Sequence, residues 1–319
     1  LFGDINIDPK FKPNNWDIVA TRNNDTGQYG VTLVNINLDT NLAYKGNDTI
    51  YGGAGDDLVD GGEGDNYLDG GAGSDTIGGG AGNDVLHGGP GDDILIGGGG
   101  NNTFIFNRGD GKDTIKKDNS SAATINTVKF GQGITADSLT LGLGSLRINT
   151  GAAGDEIHIE NFNPNDVYAS RGIDSLEFAD GSALTYEQLM EKGFDIAGTA
   201  GDDTVTGTNV ADRINGLAGN DTLSGGDGND TYIFGRGHGQ DTIIDEGGNI
   251  DTILFESDVQ PSAVSIRRQG SDLYLAIIDT GDQLKIAHWF ASDSNKVEQI
   301  QFQDGSDILI GGNDRFIHV

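Results

Sequence analysis

The sequence predicts an all-β chain in which two parallel coils of repeats are each followed by a β-rich capping region, with one short helix in the linker. Three observations carry that expectation. A nine-residue unit recurs without a gap from Ala43 to Ile105. A longer pattern that includes it returns in the second half. Outside the repeats, short runs of Val, Ile, Leu and Phe are bounded by Gly, Asn and Asp.

The unit reads GGAGDDLVD from Gly52, GGEGDNYLD from Gly61, GGAGSDTIG from Gly70, GGAGNDVLH from Gly79 and GGPGDDILI from Gly88. Its first, second and fourth positions are Gly, which tolerates the positive φ of a tight turn and lets a backbone carbonyl approach an ion. The sixth is Asp in most copies (Asp48, Asp57, Asp75, Asp84, Asp93), a hard oxygen ligand of the kind calcium gathers, roughly six to eight at a time. The eighth is always apolar: Ile50, Val59, Leu68, Ile77, Leu86, Leu95. Six turn residues followed by three of strand wind a coil in which every second unit falls on the same side. Carboxylates two units apart then face one another.

These units resemble the GGxGxDxUx nonapeptide of the RTX, or haemolysin-type, calcium-binding proteins, which form a parallel β-roll. The resemblance implies an ion between two turns on the same side. The earlier turn gives the carbonyls of positions two and four and the position-six side chain; the later gives the carbonyls of positions one and three and its own position-six side chain. Carried onto this chain, the pairs along one edge are Asp57 with Asp75, Asp75 with Asp93 and Asp93 with Asp113. The other edge pairs Asp48 with Asn66, Asn66 with Asp84 and Asp84 with Asn102. The Asn residues keep a carbonyl oxygen but lose a charge, so that edge is expected to bind more weakly. In the second block Asp203 pairs with Asp221, Asp212 with Asp230 and Asp221 with Asp241, making up to nine calcium sites in all.

The carbonyls implied by the resemblance are those of Gly61, Gly70, Gly79, Gly88, Gly97, Gly216 and Gly225 at position one, and Tyr44, Gly53, Gly62, Gly71, Gly80, Gly89, Thr199, Thr208 and Leu217 at position two. Position three contributes Glu63, Ala72, Ala81, Pro90, Gly99, Ala218 and Asp227, and position four Gly46, Gly55, Gly64, Gly73, Gly82, Gly91, Gly201, Val210 and Gly219. Where the pattern lengthens to eleven residues, Arg108 and Asp110, then Arg236 and His238, take the carbonyl places.

In chain order, residues 1–42 alternate (Val31, Leu33, Ile36, Leu38) and read as a β cap on the first roll. Residues 43–117 form that roll and 118–197 a β-rich region after it. There Thr185 and Gln188 make a capping box before Leu189 and Met190, and Gly193 supplies the stop. Residues 198–245 form the second roll, in which Thr199, Thr208 and Leu217 replace the second Gly and Val210 the fourth; residues 246–319 follow it. The two halves correspond: the run from Phe104 to Ile115 returns from Tyr232 to Ile243, Val128-Lys129-Phe130 as Ile253-Leu254-Phe255, and Leu176-Glu177-Phe178 as Ile300-Gln301-Phe302. The regions after the rolls resemble the haemolysin-type calcium-binding related region. Phe130, Phe162, Phe178, Phe255, Trp289, Phe290 and Phe302 are expected to seal the ends of the rolls, with Trp16 and Trp289 the candidates should an exposed sugar platform exist.

Lys and Arg number 19 against 50 Asp and Glu, a formal charge of −31, which repels phosphate and argues against nucleic acid and anionic membrane surfaces as partners. An acidic chain with 53 Gly reads as disordered by composition alone; the strict register of Gly, Asp and apolar slots opposes that. What remains is conditional disorder, with binding free energy becoming folding free energy. Cysteine is absent, so calcium would serve as the staple of an extracellular chain. No apolar run suits a membrane span or a signal peptide, and the missing initial Met suggests a fragment or processed form.

The five His lie at no metal-binding spacing; His87 and His238 are expected to be exposed bystanders. Neither a nucleophile elbow nor a phosphate loop is present, so no catalysis is expected. The expectation is a calcium-binding, calcium-folded region of a secreted bacterial RTX protein of adhesin or toxin type, exported by type I machinery, with a host surface or glycan as possible target. The alternative is the C-terminal secretion and folding tail of a secreted RTX enzyme (protease, lipase or epimerase) with its catalytic domain upstream. A self-processing or glycan-binding unit rests only on Asp8-Pro9 and the aromatic residues.

Overall fold

The computed structural model describes residues 17–22, 29–34, 46–116, 125–169, 171–245, 247–248, 250–292, 296–311 and 315–318, the backbone alone at 17–22, 29–34, 309–311 and 315–318. Tyr44, Trp16 and the Asp8-Pro9 bond lie outside them. The chain divides into two units, Leu1–Phe162 with Ser170–Leu189, and Asn163–Ala169 with Met190–Val319.

In the first unit the three strand residues of each nonapeptide alternate between two parallel sheets, because each unit turns the chain through half a coil. One sheet carries Thr49–Ala54, Tyr67–Ala72, Val85–His87 and Thr103–Phe106. The other carries Leu58–Asp60, Thr76–Gly78, Ile94–Ile96 and Lys112–Lys116. Register follows the eighteen-residue repeat, with Leu68 opposite Leu86 and Ile77 opposite Leu95. Position eight points inward from both sheets: Leu68, Ile77 and Leu86 are fully buried, and each such side chain contributes about 1.5–3 kcal/mol.

The coil does not stop where the nonapeptides do. Thr127–Phe130 and then Ser175–Glu177 extend the first sheet in parallel, and Glu156–Ile159 extends the second. Longer connections are accommodated as antiparallel additions: Thr140–Gly142 and Leu146–Asn149 beside Glu156–Ile159, and Ala183–Thr185 beside Ser175–Glu177. The regions expected as caps are therefore built from further coils, closed by antiparallel strands. At the N-terminal side Asp17–Arg22 and Tyr29–Val34 pair antiparallel, and Thr32 lies opposite Leu58.

The second unit repeats the plan. Phe194–Ala197, Asp212–Asn215, Thr231–Phe234, Thr252–Phe255 and Gln299–Phe302 run parallel in one sheet. Thr204–Thr206, Thr222–Ser224, Gln240–Ile243 and Gln283–Ile286 form the other, joined by the antiparallel Asp272–Ile277 and Val264–Gln269. Its core includes Ile214, Tyr232, Ile253, Leu284 and Trp289, the last completely buried. Trp289 is thus core and withdraws from any sugar platform.

The expected helix is Tyr186–Met190. Gln188 N donates to Thr185 Oγ1 at 3.2 Å and Thr185 N to Gln188 Oε1 at 2.9 Å, which closes the capping box. Gly193, at φ 73°, ends it by donating to the Met190 carbonyl. Among the described residues no helix is long and apolar enough to cross a membrane.

Candidate metal centre

The position-six side chains form two ladders per roll. Each uses Oδ1 as a rung, accepting the backbone N–H of the position-six residue one coil earlier. Asp57 N donates to Asp75 at 2.7 Å, Asp75 N to Asp93 at 2.7 Å and Asp93 N to Asp113 at 3.2 Å. On the other edge Asp48 N donates to Asn66 at 2.9 Å, Asn66 N to Asp84 at 2.9 Å and Asp84 N to Asn102 at 3.0 Å. In the second roll the rungs are Asp203 N to Asp221, Asp212 N to Asp230 and Asp221 N to Asp241, at 2.8, 2.8 and 3.0 Å. All nine expected pairs are brought together.

With Oδ1 committed, Oδ2 turns inward. In Asp75, Asp84, Asp93, Asp113, Asp221 and Asp241 this second oxygen is buried without a hydrogen-bond donor. Such an atom costs about 1–3 kcal/mol, and more when charged. Burial pushes the carboxyls of Asp75 and Asp93 up to about 6 and that of Asp241 to about 7, and it raises Asp113, with the Asp93 charge beside it, to about 9.

The space each Oδ2 faces lies beside the position-one glycine of its own turn. A Cβ on Gly79 would stand 2.5 Å from both Asp84 Oδ2 and the Gly97 carbonyl oxygen. On Gly198 it would stand 2.6 Å from the Gly216 carbonyl and 2.9 Å from Asp203 Oδ2; Gly52, Gly70 and Gly207 are hemmed by the same pair of groups. A slot walled by carbonyl and carboxylate oxygens suits a hard cation, and calcium fits the donor set. Among the described residues no three His, Cys, Asp or Glu side chains are grouped to hold a metal by themselves, so backbone carbonyls have to complete the shell. Position-two and position-four residues stack directly over their equivalents one coil away, leaving no room for a Cβ at Gly71 or Gly73, both at positive φ. Position-three carbonyls accept position-four N–H groups: Ala72 from Gly55, Ala81 from Gly64, Pro90 from Gly73, Gly99 from Gly82, Glu63 from Gly46; in the long turns Asp110 accepts from Gly91 and His238 from Gly219.

Four substitutions change the slots. Asn66 Oδ1 takes the rung, so its Nδ2 faces inward, donating to the Gly64 carbonyl at 2.9 Å, the Gly79 carbonyl at 3.3 Å and Asp84 Oδ1 at 2.9 Å. The amide thus stands where other turns place a bare oxygen. Thr199 and Thr208 each donate N–H to the Oδ2 of their own turn's Asp203 and Asp212, both at 2.6 Å, and their hydroxyls reach the same carboxylates. Leu217 holds φ 68° in place of the second Gly.

Several members of the site were not foreseen. Position five forms a ladder of opposite sense, in which the earlier side chain accepts from the later backbone: Asn83 N donates to Asp65 Oδ1 and Asn101 N to Asn83 Oδ1. Asn126, Asp174, Asp251 and Glu298 continue the position-six rungs past the nonapeptides. An available signal was Asp or Asn followed by Thr and an apolar residue, shared by Asp75, Asn102, Asn126, Asp230 and Asp251. Asp155 and Asp282 brace the long turns, accepting from Gly109 and Gly111, and from Gly237 and Gly239. His87 is not a bystander: Nδ1 lies 3.3 Å from Asp69 Oδ2 and Nε2 3.2 Å from Asp110 Oδ2, and these partners raise its pKa to about 10. His238 is likewise buried, against Phe234 and Glu256.

Comparison with known proteins agrees with this geometry. The RTX calcium-binding nonapeptide repeat model matches residues 43–77, 69–104, 78–115, 195–209 and 206–241. The haemolysin-type calcium binding protein related domain matches residues 146–188 and 272–308. A search of the curated proteins found no match. Among solved structures, the extracellular lipase LipA from Serratia marcescens is 19% identical with a TM-score of 0.24, over 83% of this chain and 41% of that one. The chain therefore spans less than half the length of that lipase. Repeats, rolls and the regions that follow them agree: the chain belongs to the RTX, haemolysin-type calcium-binding nonapeptide repeat proteins, with a haemolysin-type calcium-binding related region after each repeat block.

Proposed function

We propose that the chain is a calcium-folded repeat region of a larger secreted bacterial RTX protein of adhesin or toxin type, disordered without calcium and folding after export through type I machinery. The observation that carries this reading is the row of buried Oδ2 atoms without donors, on a chain of net charge −31. Stacked bare carboxylates oppose the coil, and cations between them reverse the balance. Scarce calcium inside the cell then keeps the chain unfolded for passage through a channel, and plentiful calcium outside folds it. The role proposed is binding and folding, with no catalytic step of its own: Asp75, Asp84, Asp93, Asp113, Asp221, Asp230 and Asp241 sit at ladder positions, each accepting a backbone amide.

Far-UV circular dichroism during a calcium titration of the EDTA-treated chain, with magnesium as control, tests the proposal. The expected result is a cooperative gain of β signal with calcium alone, because magnesium's small, rigid octahedron gives up its water reluctantly. A chain already folded in EDTA and indifferent to calcium would overturn it.

A further inference from the structure

We propose that the second unit holds a calcium site beyond its nonapeptides, formed by Asp230 and Asp251 with the carbonyls of Gly226 and Gly228, and that the equivalent place in the first unit takes no ion. This rests on the calcium-folding reading above and adds a site to the pairs drawn from the repeats, whose match ends at residue 241.

The duplication supplies an internal comparison. Asn102, Asn126 and Asp174 in the first unit occupy the places of Asp230, Asp251 and Glu298 in the second, each just before corresponding strands. The rungs match step for step. Asn102 N donates to Asn126 Oδ1 at 3.3 Å and Asn126 N to Asp174 Oδ2 at 2.8 Å; Asp230 N donates to Asp251 Oδ1 at 2.8 Å and Asp251 N to Glu298 Oε2 at 2.8 Å. The backbone rungs are shared, and the inward atoms at the first two places differ.

In the second unit those atoms are carboxylate oxygens. Asp230 and Asp251 are each 1% exposed, and the Oδ2 of both is buried without a donor. The following turn presses Gly247 onto the Gly226 carbonyl oxygen and Gly248 onto that of Gly228, with Asp251 Oδ2 2.6 Å from where a Gly248 Cβ would stand. Asp251 Oδ2 and the Gly228 carbonyl so meet beside Gly248, with the Gly226 carbonyl beside the adjoining Gly247 and Asp230 Oδ2 beside Gly225 of the preceding coil. Hard oxygens alone favour calcium over softer metals. The Asp245 carboxyl, also buried, lies against Asp251 within hydrogen-bond reach. A groove lined by Asp227, Gly228, Gly247 and Gly248 borders this turn.

In the first unit an amide has taken the ion's part. Asn102 Oδ1 accepts Asp84 N at 3.0 Å, which fixes the orientation of the side chain and sends Nδ2 inward. That nitrogen donates to the carbonyls of Gly98 and Gly100, both at 3.4 Å, and to Asn126 Oδ1 at 3.3 Å. Gly98 and Gly100 are the counterparts of Gly226 and Gly228. The NH2 group engages the oxygens a cation would use, without the desolvation cost of a charge.

The test counts bound calcium per chain by equilibrium dialysis of the full chain at saturating calcium, with circular dichroism recorded alongside. Asp251→Asn keeps the Oδ1 rung and replaces only the inward oxygen; the expected result is one ion fewer than wild type in a chain that still folds with calcium. An unchanged count overturns the site. Should this variant fail to fold in calcium, the double variant Asn102→Asp, Asn126→Asp decides against Asn102→Asp alone, which controls for the Asp84 pair: one ion more than that single variant supports the proposal, and an equal count overturns it. A wild-type chain that binds calcium without gaining β structure would instead sink the folding reading and leave the ion counts to judge the site.

Discussion

A position-six Asp does two jobs with its two oxygens, a division that explains the slots. Oδ1 is held by a backbone N–H 18 residues earlier, as Asp75 holds Asp57 N, while Oδ2 faces the space beside Gly70. The position-one Gly is therefore needed for room, not for conformation: Gly70 is absent from the positive-φ residues, unlike Gly71 at φ 101°. Gly70→Ala would place a methyl against Asp75 Oδ2 and, at 2.8 Å, the Gly88 carbonyl oxygen. The expected outcome is one calcium ion fewer by calorimetry and a loss of about 1–3 kcal/mol from overpacking. Gly78→Ala, whose Cβ would make only an ordinary 3.9 Å contact, is the control and should titrate as wild type. The nonapeptide pattern made the Asp rungs legible because the period is strict. It did not show Asn66 as a slot filled by its own amide, because which side-chain atom faces inward depends on which one the backbone claims.

At the scale of the coil, the paired elements bring like charges into rows, and protons should do part of what calcium does. Carboxyls whose folded pKa is raised favour the folded chain below the unfolded value near 4, and that contribution is lost as pH rises through the folded values. Those values are about 6 for Asp75 and Asp93, about 7 for Asp241, about 8 for Asp230 and about 9 for Asp113, burial being the main cause in each. In EDTA the β signal by circular dichroism is therefore expected to grow as pH falls from about 9 toward about 4. In calcium the effect on affinity has the opposite sign, since protons compete for the same oxygens and the calcium midpoint should rise as pH falls. A β signal in EDTA that is flat across this window would show that the ladder carboxylates do not control the coil. The strands themselves were readable from the fixed apolar slot. That the coil continues through Thr127–Phe130, Glu156–Ile159 and Ser175–Glu177 was not, since insertions of irregular length hide the period.

For the whole molecule, duplication and charge set the behaviour. Two units of one plan, each with a parallel roll extended by further coils, carry a chain with 50 acidic and 19 basic residues. An unfolded chain of 319 residues has a radius of gyration on the order of 60 Å, and self-repulsion expands it further. Small-angle X-ray scattering should find that dimension in EDTA and a severalfold-smaller one on adding calcium, with no contraction on adding magnesium at equal ionic strength. Equal contraction with both ions would reduce the effect to screening and remove specific sites from the account.

The sequence by itself determined the all-β class, the two repeat blocks, the pairing of carboxylates two units apart and the short helix with its Thr185–Gln188 cap, since each depends on local spacing and residue type. Only the tertiary structure decided which oxygens are committed to the backbone and which remain bare. It also placed His87 between Asp69 and Asp110, residues 18 and 23 positions away, and aligned Asn102 with Asn126 where Asp230 meets Asp251. The reason is physical: a slot is defined by what two neighbouring coils leave unfilled, and that space exists only once the coils have stacked.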